Sequence, residues 1–169
     1  MWATSSLWRP TGLDGGRRVG LFNKGEDIRE DNPGFSFTKH GGFVKTSEQT
    51  TAYNCIAWAA DDKTHWWWPF LAYWPDKAPR DLTIEAFVKA FSLLGYAICA
   101  DTTLEEGYEK VAIFAVSGVP THAARQIVKD KHKGRWTSKM GRNIDVAHNL
   151  MGATGPAYGK VAVVLKRKT

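Results

Sequence analysis

Cys55 and His122 are the residues whose chemical types and positions in the chain point most directly to chemistry. Cys55 opens the segment Cys-Ile-Ala-Trp-Ala-Ala, which is apolar almost all round and predicts a buried helix with a thiol in its first turn. The unpaired backbone N–H groups and the positive end of the helix dipole at such a position favour thiolate over thiol. His122 follows 67 positions later, at the start of a predicted strand. This order, a thiol first and an imidazole later, suits hydrolysis of an acyl bond by a cysteine nucleophile.

Such a reaction also needs a group that orients the imidazole and donors for the developing oxyanion. Asp145 is preferred on chemistry, because a carboxylate best supports a charged imidazole. Ser138 is preferred on spacing, and Asn143 or a water molecule stays open as a third choice. Gln49 and the backbone N–H of Cys55 are the candidate oxyanion donors. The predicted catalytic set is Cys55, His122, Asp145, Ser138 and Gln49.

Hydrophobic periodicity predicts two helices followed by a group of strands. The first helix is expected over 53–62. The second is expected over 84–94, because Thr83 can cap it, apolar residues recur with a helical period and Gly95 can end it. Apolar or alternating runs predict the strands, at 35–38, 42–45, 96–100, 110–116, 121–128, 135–139 and 158–166. A short helix is expected over 144–151, capped near Asn143 or Asp145.

The order of these elements predicts an α+β fold, with N-terminal helices packed on a C-terminal antiparallel sheet. A chain of 169 residues suits one domain spanning 1–169. Residues 1–45 are rich in Gly, Pro, Asn and Asp and predict an irregular N-terminal arm. The core of the domain is expected over 46–169.

The tryptophan cluster indicates a core or a cleft wall, and the distribution of charge argues against a nucleic-acid-binding protein. Five of the eight Trp residues lie between positions 58 and 74, three of them consecutive at 66–68, and such a cluster is typical of a core or a cleft wall. The net charge of +6 is spread along the chain, and its densest runs, 129–133 and 166–168, are expected to be a solvated hairpin tip and tail. Binding of nucleic acid is therefore only a minor alternative, with no motif to support it.

The two cysteines do not make a disulfide framework, and Cys99 is expected to be structural. The sequence has no apolar run long enough for a membrane span and no apolar core of a signal peptide, so we expect a cytoplasmic protein. Cys55, Cys99, His122 and His148 lack the spacing of a metal site. We expect no metal, no cofactor and no membrane partner.

Several motifs resemble those of the papain-like superfamily, which includes bacterial cell-wall amidopeptidases. Gln49 lies six residues before Cys55, as does the oxyanion-hole Gln of papain-type enzymes. The strand at 136–141 follows His122 where they carry the third catalytic residue, and 158–167 is similar to their final strand. Three features depart from the pattern. Ile56 and not Trp follows the cysteine, Ser138 stands where Asn or Asp is usual, and the chain is short for papain itself.

The phrases Tyr-Asn-Cys-Ile-Ala-Trp-Ala, Trp-Trp-Trp-Pro, Thr-His-Ala-Ala-Arg-Gln and Trp-Thr-Ser-Lys also resemble an uncharacterised bacterial domain family, over residues 50–169. The papain-like resemblance implies a minimal papain-like fold and a thiol hydrolase, a cysteine peptidase or amidase, that cleaves an amide bond of a peptide or protein. The alternative is a catalytically inactive papain-like module that binds a protein partner. The oligomeric state is left open.

Overall fold

The computed structural model describes residues 28–29 and 31–169 and contains two helices and a seven-stranded sheet in this part of the chain. The helices are α1 (Cys55–Ala59) and α2 (Ile84–Ser92). The strands are β1 (Phe43–Ser47), β2 (Ala97–Cys99), β3 (Tyr108–Val116), β4 (Val119–Gln126), β5 (Trp136–Lys139), β6 (Asp145–His148) and β7 (Lys160–Lys168). Two short 3-10 helices span Thr38–His40 and Leu150–Ala153.

All strand pairs of this sheet are antiparallel, in the order β1-β6-β5-β4-β3-β7-β2. The predicted α+β class is therefore confirmed. The strands β3 and β4 form a hairpin through Ser117 and Gly118, both of which have positive φ. Pairing between β4 and β5 holds only at Arg125 with Thr137 and at Gln126 with Trp136, so these two strands no longer pair toward the start of β4.

Two core clusters lie on opposite faces of the sheet, since successive side chains of a strand point to opposite faces. On the helix side, Val111, Ile113 and Ala123 belong to one cluster with the apolar residues of α1 and α2. On the other side, Phe114 and Ala124 belong to a second cluster. The second cluster also contains aromatic residues from elsewhere in the chain, namely Phe35, Phe37, Trp136 and Tyr158.

The second predicted helix is confirmed almost residue for residue. The Thr83 hydroxyl accepts a hydrogen bond from the Ala86 N–H, as a helix N-cap does. The first predicted helix is shorter than expected, because it begins only after its N-cap Asn54 and because Asp61, two residues after its end, adopts a positive φ. Trp67 and Trp74 are buried in the helix-side cluster, as a core role for the Trp-rich stretch predicts.

Two local predictions were wrong. The helix expected over 144–151 is instead β6 followed by a 3-10 helix, because β6 is an inner strand held by β1 on one side and β5 on the other. The strand expected over 35–38 is an irregular turn that leads into a 3-10 helix, and its two Phe rings insert into the second cluster. Of the predicted arm, residues 1–27 and 30 lie outside the described residues, and β1 already forms part of the sheet.

Within the described residues, no helix combines the length and the apolar character that a bilayer span requires. The longer of the two helices, α2, has nine residues.

Gly159 is a position where the fold requires glycine, and it gives a stability prediction. Its φ is +79°, and a Cβ there would overlap the carbonyl oxygen of Ala115. Gly118 has a similar φ of +81° with no atom within 4 Å of an added Cβ, so it is a matched control. We expect Gly118→Ala to lower the free energy of unfolding by about 1 kcal/mol. For Gly159→Ala we expect a loss of about 3 kcal/mol, because overlap adds to backbone strain.

Urea unfolding of both variants, followed by circular dichroism, measures this difference through the transition midpoint. Equal losses of unfolding free energy in the two variants would show that the close approach of Gly159 to Ala115 does not add to the cost of the substitution.

Candidate functional site

The start of α1 meets the sheet where β4 and β5 stop pairing. The backbone N–H of Ala123, the residue directly after His122, lies near the Cys55 thiol and opposes part of the rise in its pKa. Cys55 belongs to the helix-side cluster, whereas the His122 ring contacts residues of the cluster on the other face. The Cys55 thiol and the His122 imidazole therefore lie on opposite faces of β4. No hydrogen bond joins them in the structure, and the Nδ1 atom of His122 is buried without a hydrogen-bond partner.

His122 begins a chain of buried hydrogen bonds that crosses three strands. Its Nε2 atom lies 2.9 Å from the Ser138 hydroxyl oxygen on β5. The same oxygen lies 2.8 Å from Nε2 of His148 on β6. Nδ1 of His148 lies 2.7 Å from the backbone carbonyl oxygen of Asn149. The side chains of His122, Ser138 and His148 are fully buried, so these bonds form away from solvent.

Aromatic rings hold the His122 imidazole in place. The Tyr158 ring stacks on it with centroids 3.9 Å apart and an interplanar angle of 5°. The Phe114 ring meets it edge-on at 5.4 Å. Because one ring stacks on the imidazole, another meets it edge-on and one of its nitrogens is hydrogen-bonded, the imidazole has little freedom to rotate.

The electrostatics of the site differ from the sequence-based expectation. Burial raises the pKa of the Cys55 thiol to about 11, although N–H groups of Ala123, Cys55 and Ile56 and the charge of Lys139 oppose the rise. Burial, together with the nearby His148, lowers the pKa of His122 well below its ordinary value. The predicted thiolate is therefore not the resting form. Loss of solvation outweighs the donors of a helix that is only five residues long, so both the thiol and the imidazole are neutral at rest.

Asp145, the carboxylate favoured on chemistry, does not contact His122. It accepts hydrogen bonds from the Tyr53 hydroxyl at 2.7 Å and the Ser47 hydroxyl at 2.6 Å. In β6 it is three residues before His148, so the two side chains point to opposite faces of the sheet. Ser138 is the residue that is hydrogen-bonded to His122.

Asn143 was predicted only as an alternative orienting group, and the hydrogen-bonding role of His148 was not predicted. Both residues have definite places in the structure. The backbone carbonyl of Asn143 accepts a hydrogen bond from the Lys139 ammonium. From the sequence, His148 was considered only as a possible metal ligand. In the structure its Nε2 atom is hydrogen-bonded to the Ser138 hydroxyl, and it belongs to no metal-binding cluster among the described residues. Strand alternation through Ser138 and His148 could have indicated their shared face, had 145–148 been recognised as a strand.

Asn54 fixes the start of α1 against the Trp-rich stretch, and sequence reasoning missed it. Its side-chain oxygen accepts hydrogen bonds from the N–H groups of Ala57 at 3.0 Å and Trp67 at 3.1 Å. Its amide nitrogen donates to the carbonyl oxygen of Trp67 at 2.8 Å. One buried side chain thus caps the helix and ties the aromatic segment to the residue next to Cys55.

An open groove of about 560 Å³ lies beside the segment that leads to Cys55. Its lining residues are Gln49, Thr51, Trp66, Leu71 and Arg142. The Trp66 indole N–H donates to the Thr51 carbonyl oxygen at 2.6 Å, and the Arg142 guanidinium lies 5.4 Å from the Trp66 ring centroid. Gln49, the predicted oxyanion donor, is exposed in this groove.

The described part of the chain holds no cluster of three or more His, Cys, Asp and Glu side chains that could bind a metal ion. Both cysteines are free thiols. Cys99 lies on the edge strand β2 and is half-buried, in contrast to Cys55.

The family model described as Domain of unknown function (DUF7689) matches residues 44–166, and the chain belongs to this family. The matched range contains α1, α2, Cys55, His122, Ser138 and His148. No curated protein and no solved structure matches the chain.

The raised pKa of Cys55 predicts the order in which the two thiols react with a small alkylating agent. At pH 8 about one Cys55 thiol in a thousand is ionised, and the residue is only 5% exposed. We therefore expect iodoacetamide to modify Cys99 before Cys55 in the folded protein. The rate at Cys55 should rise about tenfold per pH unit between pH 8 and 10.

Mass spectrometry of the two cysteine-containing peptides measures both rates, with protein unfolded in urea as the control for equal peptide recovery. Rapid, pH-independent modification of Cys55 near neutrality would instead mean that the thiolate predominates.

Proposed function

We propose that this protein is a cysteine hydrolase of the papain-like type, a peptidase or amidase in which Cys55 is the nucleophile and His122 the base. One observation carries the proposal. The Nε2 atom of His122 is engaged by Ser138, its Nδ1 atom has no hydrogen-bond partner, and the N–H of the next residue lies near the Cys55 thiol. Nucleophilic catalysis needs a base with an unprotonated nitrogen, and the unpaired Nδ1 of His122 supports this role, although it lies on the other face of β4 from the thiol.

The neutral resting pair supports a mechanism in which the proton moves during attack. Because the two side chains lie on opposite faces of β4, this mechanism requires that substrate binding bring His122 Nδ1 to the Cys55 sulfur. Nδ1 then takes the proton of Cys55 as the sulfur bonds to the carbonyl carbon, and an oxyanion forms. The C–N bond then breaks, the leaving amine takes the proton from His122, and a thioester remains. Water attacks the thioester carbonyl carbon, giving its proton to Nδ1. The C–S bond breaks, the acid is released, and the proton returns to the Cys55 sulfur.

The donors for the oxyanion come from the same end of α1. The N–H groups of Cys55 and Ile56 lie near the sulfur and help to oppose the rise of its pKa. Gln49 lines the open groove, which Cys55 does not line, and it is the side-chain candidate. Each such donor is worth about 3 kcal/mol of transition-state stabilisation in serine hydrolases, so the loss of one is measurable.

The groove suits an extended peptide segment more than a compact small molecule, since it is open and has an aromatic wall and one cationic side chain. The substrate class is therefore an amide bond in a peptide or protein. The reaction uses no cofactor, and we place it in the cytoplasm.

A second candidate is a papain-like module that binds a protein partner and no longer catalyses. The observation that favours it is the state of Cys55, whose thiol is buried and protonated at neutral pH. The groove and the exposed side chains of Phe70 and Leu71 beside it would then be the contact surface.

An activity-based probe distinguishes the two functions. We expect a biotinylated peptidyl acyloxymethyl ketone to modify Cys55 of the wild-type protein at pH 7–8, because His122 can remove the proton once the probe is seated. Cys55→Ala should abolish modification at this residue. His122→Ala should slow it by about a hundredfold or more, the usual contribution of a general base.

Cys99→Ser is the matched control and should be modified at the wild-type rate. Circular dichroism establishes that each variant is folded. Modification of Cys55 at the same rate in wild type and His122→Ala, or none in either, would contradict catalysis and favour the binding module.

A further inference from the structure

The buried chain of hydrogen bonds from His122 ends at a backbone carbonyl, and that end fixes the position of every proton in it. A carbonyl oxygen accepts hydrogen bonds and never donates one. Nδ1 of His148 therefore carries the hydrogen in its 2.7 Å bond to the Asn149 oxygen.

The next bond follows from the charge of His148. Burial lowers the pKa of His148 to about 4, and the nearby Arg135 adds to this, although the bond to Asn149 opposes it. The ring is therefore neutral at pH 7, and its Nε2 atom has a lone pair and no hydrogen. Across 2.8 Å, the Ser138 hydroxyl must donate to this atom.

A hydroxyl has one hydrogen, so Ser138 has none left for its second partner. In the 2.9 Å contact with His122, the Ser138 oxygen accepts and Nε2 of His122 donates. A neutral imidazole carries one N–H, so Nδ1 of His122 holds a lone pair. This is the same atom that has no partner in the structure.

We propose that His148 is a positioning residue: acting through Ser138, it fixes His122 in the tautomer whose Nδ1 atom can accept a proton. Only the catalytic role of this tautomer rests on the proposed function. The tautomer itself is a property of the folded protein, whether or not the protein is a hydrolase.

No other described side chain performs this selection. The rings of Tyr158 and Phe114 set the plane of His122 but do not distinguish its two nitrogens. Asp145 is hydrogen-bonded to Tyr53 and Ser47. The Phe37 ring, edge-on at 5.5 Å, packs against His148 without a hydrogen bond.

The test is ¹⁵N–¹H NMR of protein labelled with ¹⁵N-histidine, in which couplings to the ring protons identify the protonated nitrogen. At pH 7 we expect His122 in the wild type to carry its hydrogen on Nε2 alone. A hydrogen on Nδ1, or on both nitrogens, in the wild type would overturn the proposal without any variant.

Two variants of similar size probe the role of His148. In His148→Phe the acceptor for Ser138 is lost, so the hydroxyl can donate to His122, and we expect the exclusive Nε2–H signal to be lost. In His148→Gln the side-chain oxygen can still accept from Ser138, and we expect the wild-type signal to be retained. An unchanged tautomer in a folded His148→Phe protein would contradict the inference.

Rates of probe modification give a second readout. We expect His148→Phe to slow modification of Cys55 by about tenfold or more, as loss of an outer positioning partner does, and His148→Gln to restore it. If His122 of the wild type has the expected tautomer but the probe modifies Cys55 in neither the wild type nor the variants, the hydrolase proposal fails and the inference about the tautomer stands.

Discussion

The end of the pairing between β4 and β5 is the constraint on which the site depends. Two antiparallel strands that stay paired leave no room between them for another group. Here the ladder is held only at Arg125 and Gln126, and the start of α1 reaches the backbone of β4 beyond that point. The side chains of His122 and Ser138 lie on one face of these strands and meet there, and the thiol of Cys55 lies near the N–H of Ala123 on the other face.

Burial lowers the reactivity of this site and increases its order. It removes water from the thiol and the imidazole, which keeps both neutral and makes the thiol a poor free nucleophile. It also forces the polar atoms to satisfy one another, because an unpaired buried group is costly. The hydrogen bonds from His122 to Asn149 are the result.

Local signals predicted the parts of the fold that local interactions decide. The capping Thr83, the helical period and Gly95 defined α2, and two alternating runs around a basic tip defined the hairpin of β4 and β5. The segment 144–151 was mistaken for a helix, because Asp145 resembles a cap and only its two neighbouring strands make β6 a strand. The same error hid His148, since its relation to Ser138 exists only across paired strands.

The site itself could be anticipated in its residue types but not in its charges. Ser138 was chosen on spacing, and spacing along paired strands sets which side chains meet. Asp145 was chosen on chemistry, and its position on the opposite face removes it from His122. The charge state of Cys55 depends on how much solvent is lost, and that quantity comes from the whole packed structure.

The pairing of β1 with β6 has a consequence for how the molecule assembles. Phe43 pairs with His148, and β6 is the strand that brings His148 to Ser138. These contacts join segments about a hundred residues apart, and contacts of such long range form slowly because a large loop must close first. The hydrogen bonds from His122 to His148 are therefore complete only after β6 has paired, and we expect this to be a late step of folding.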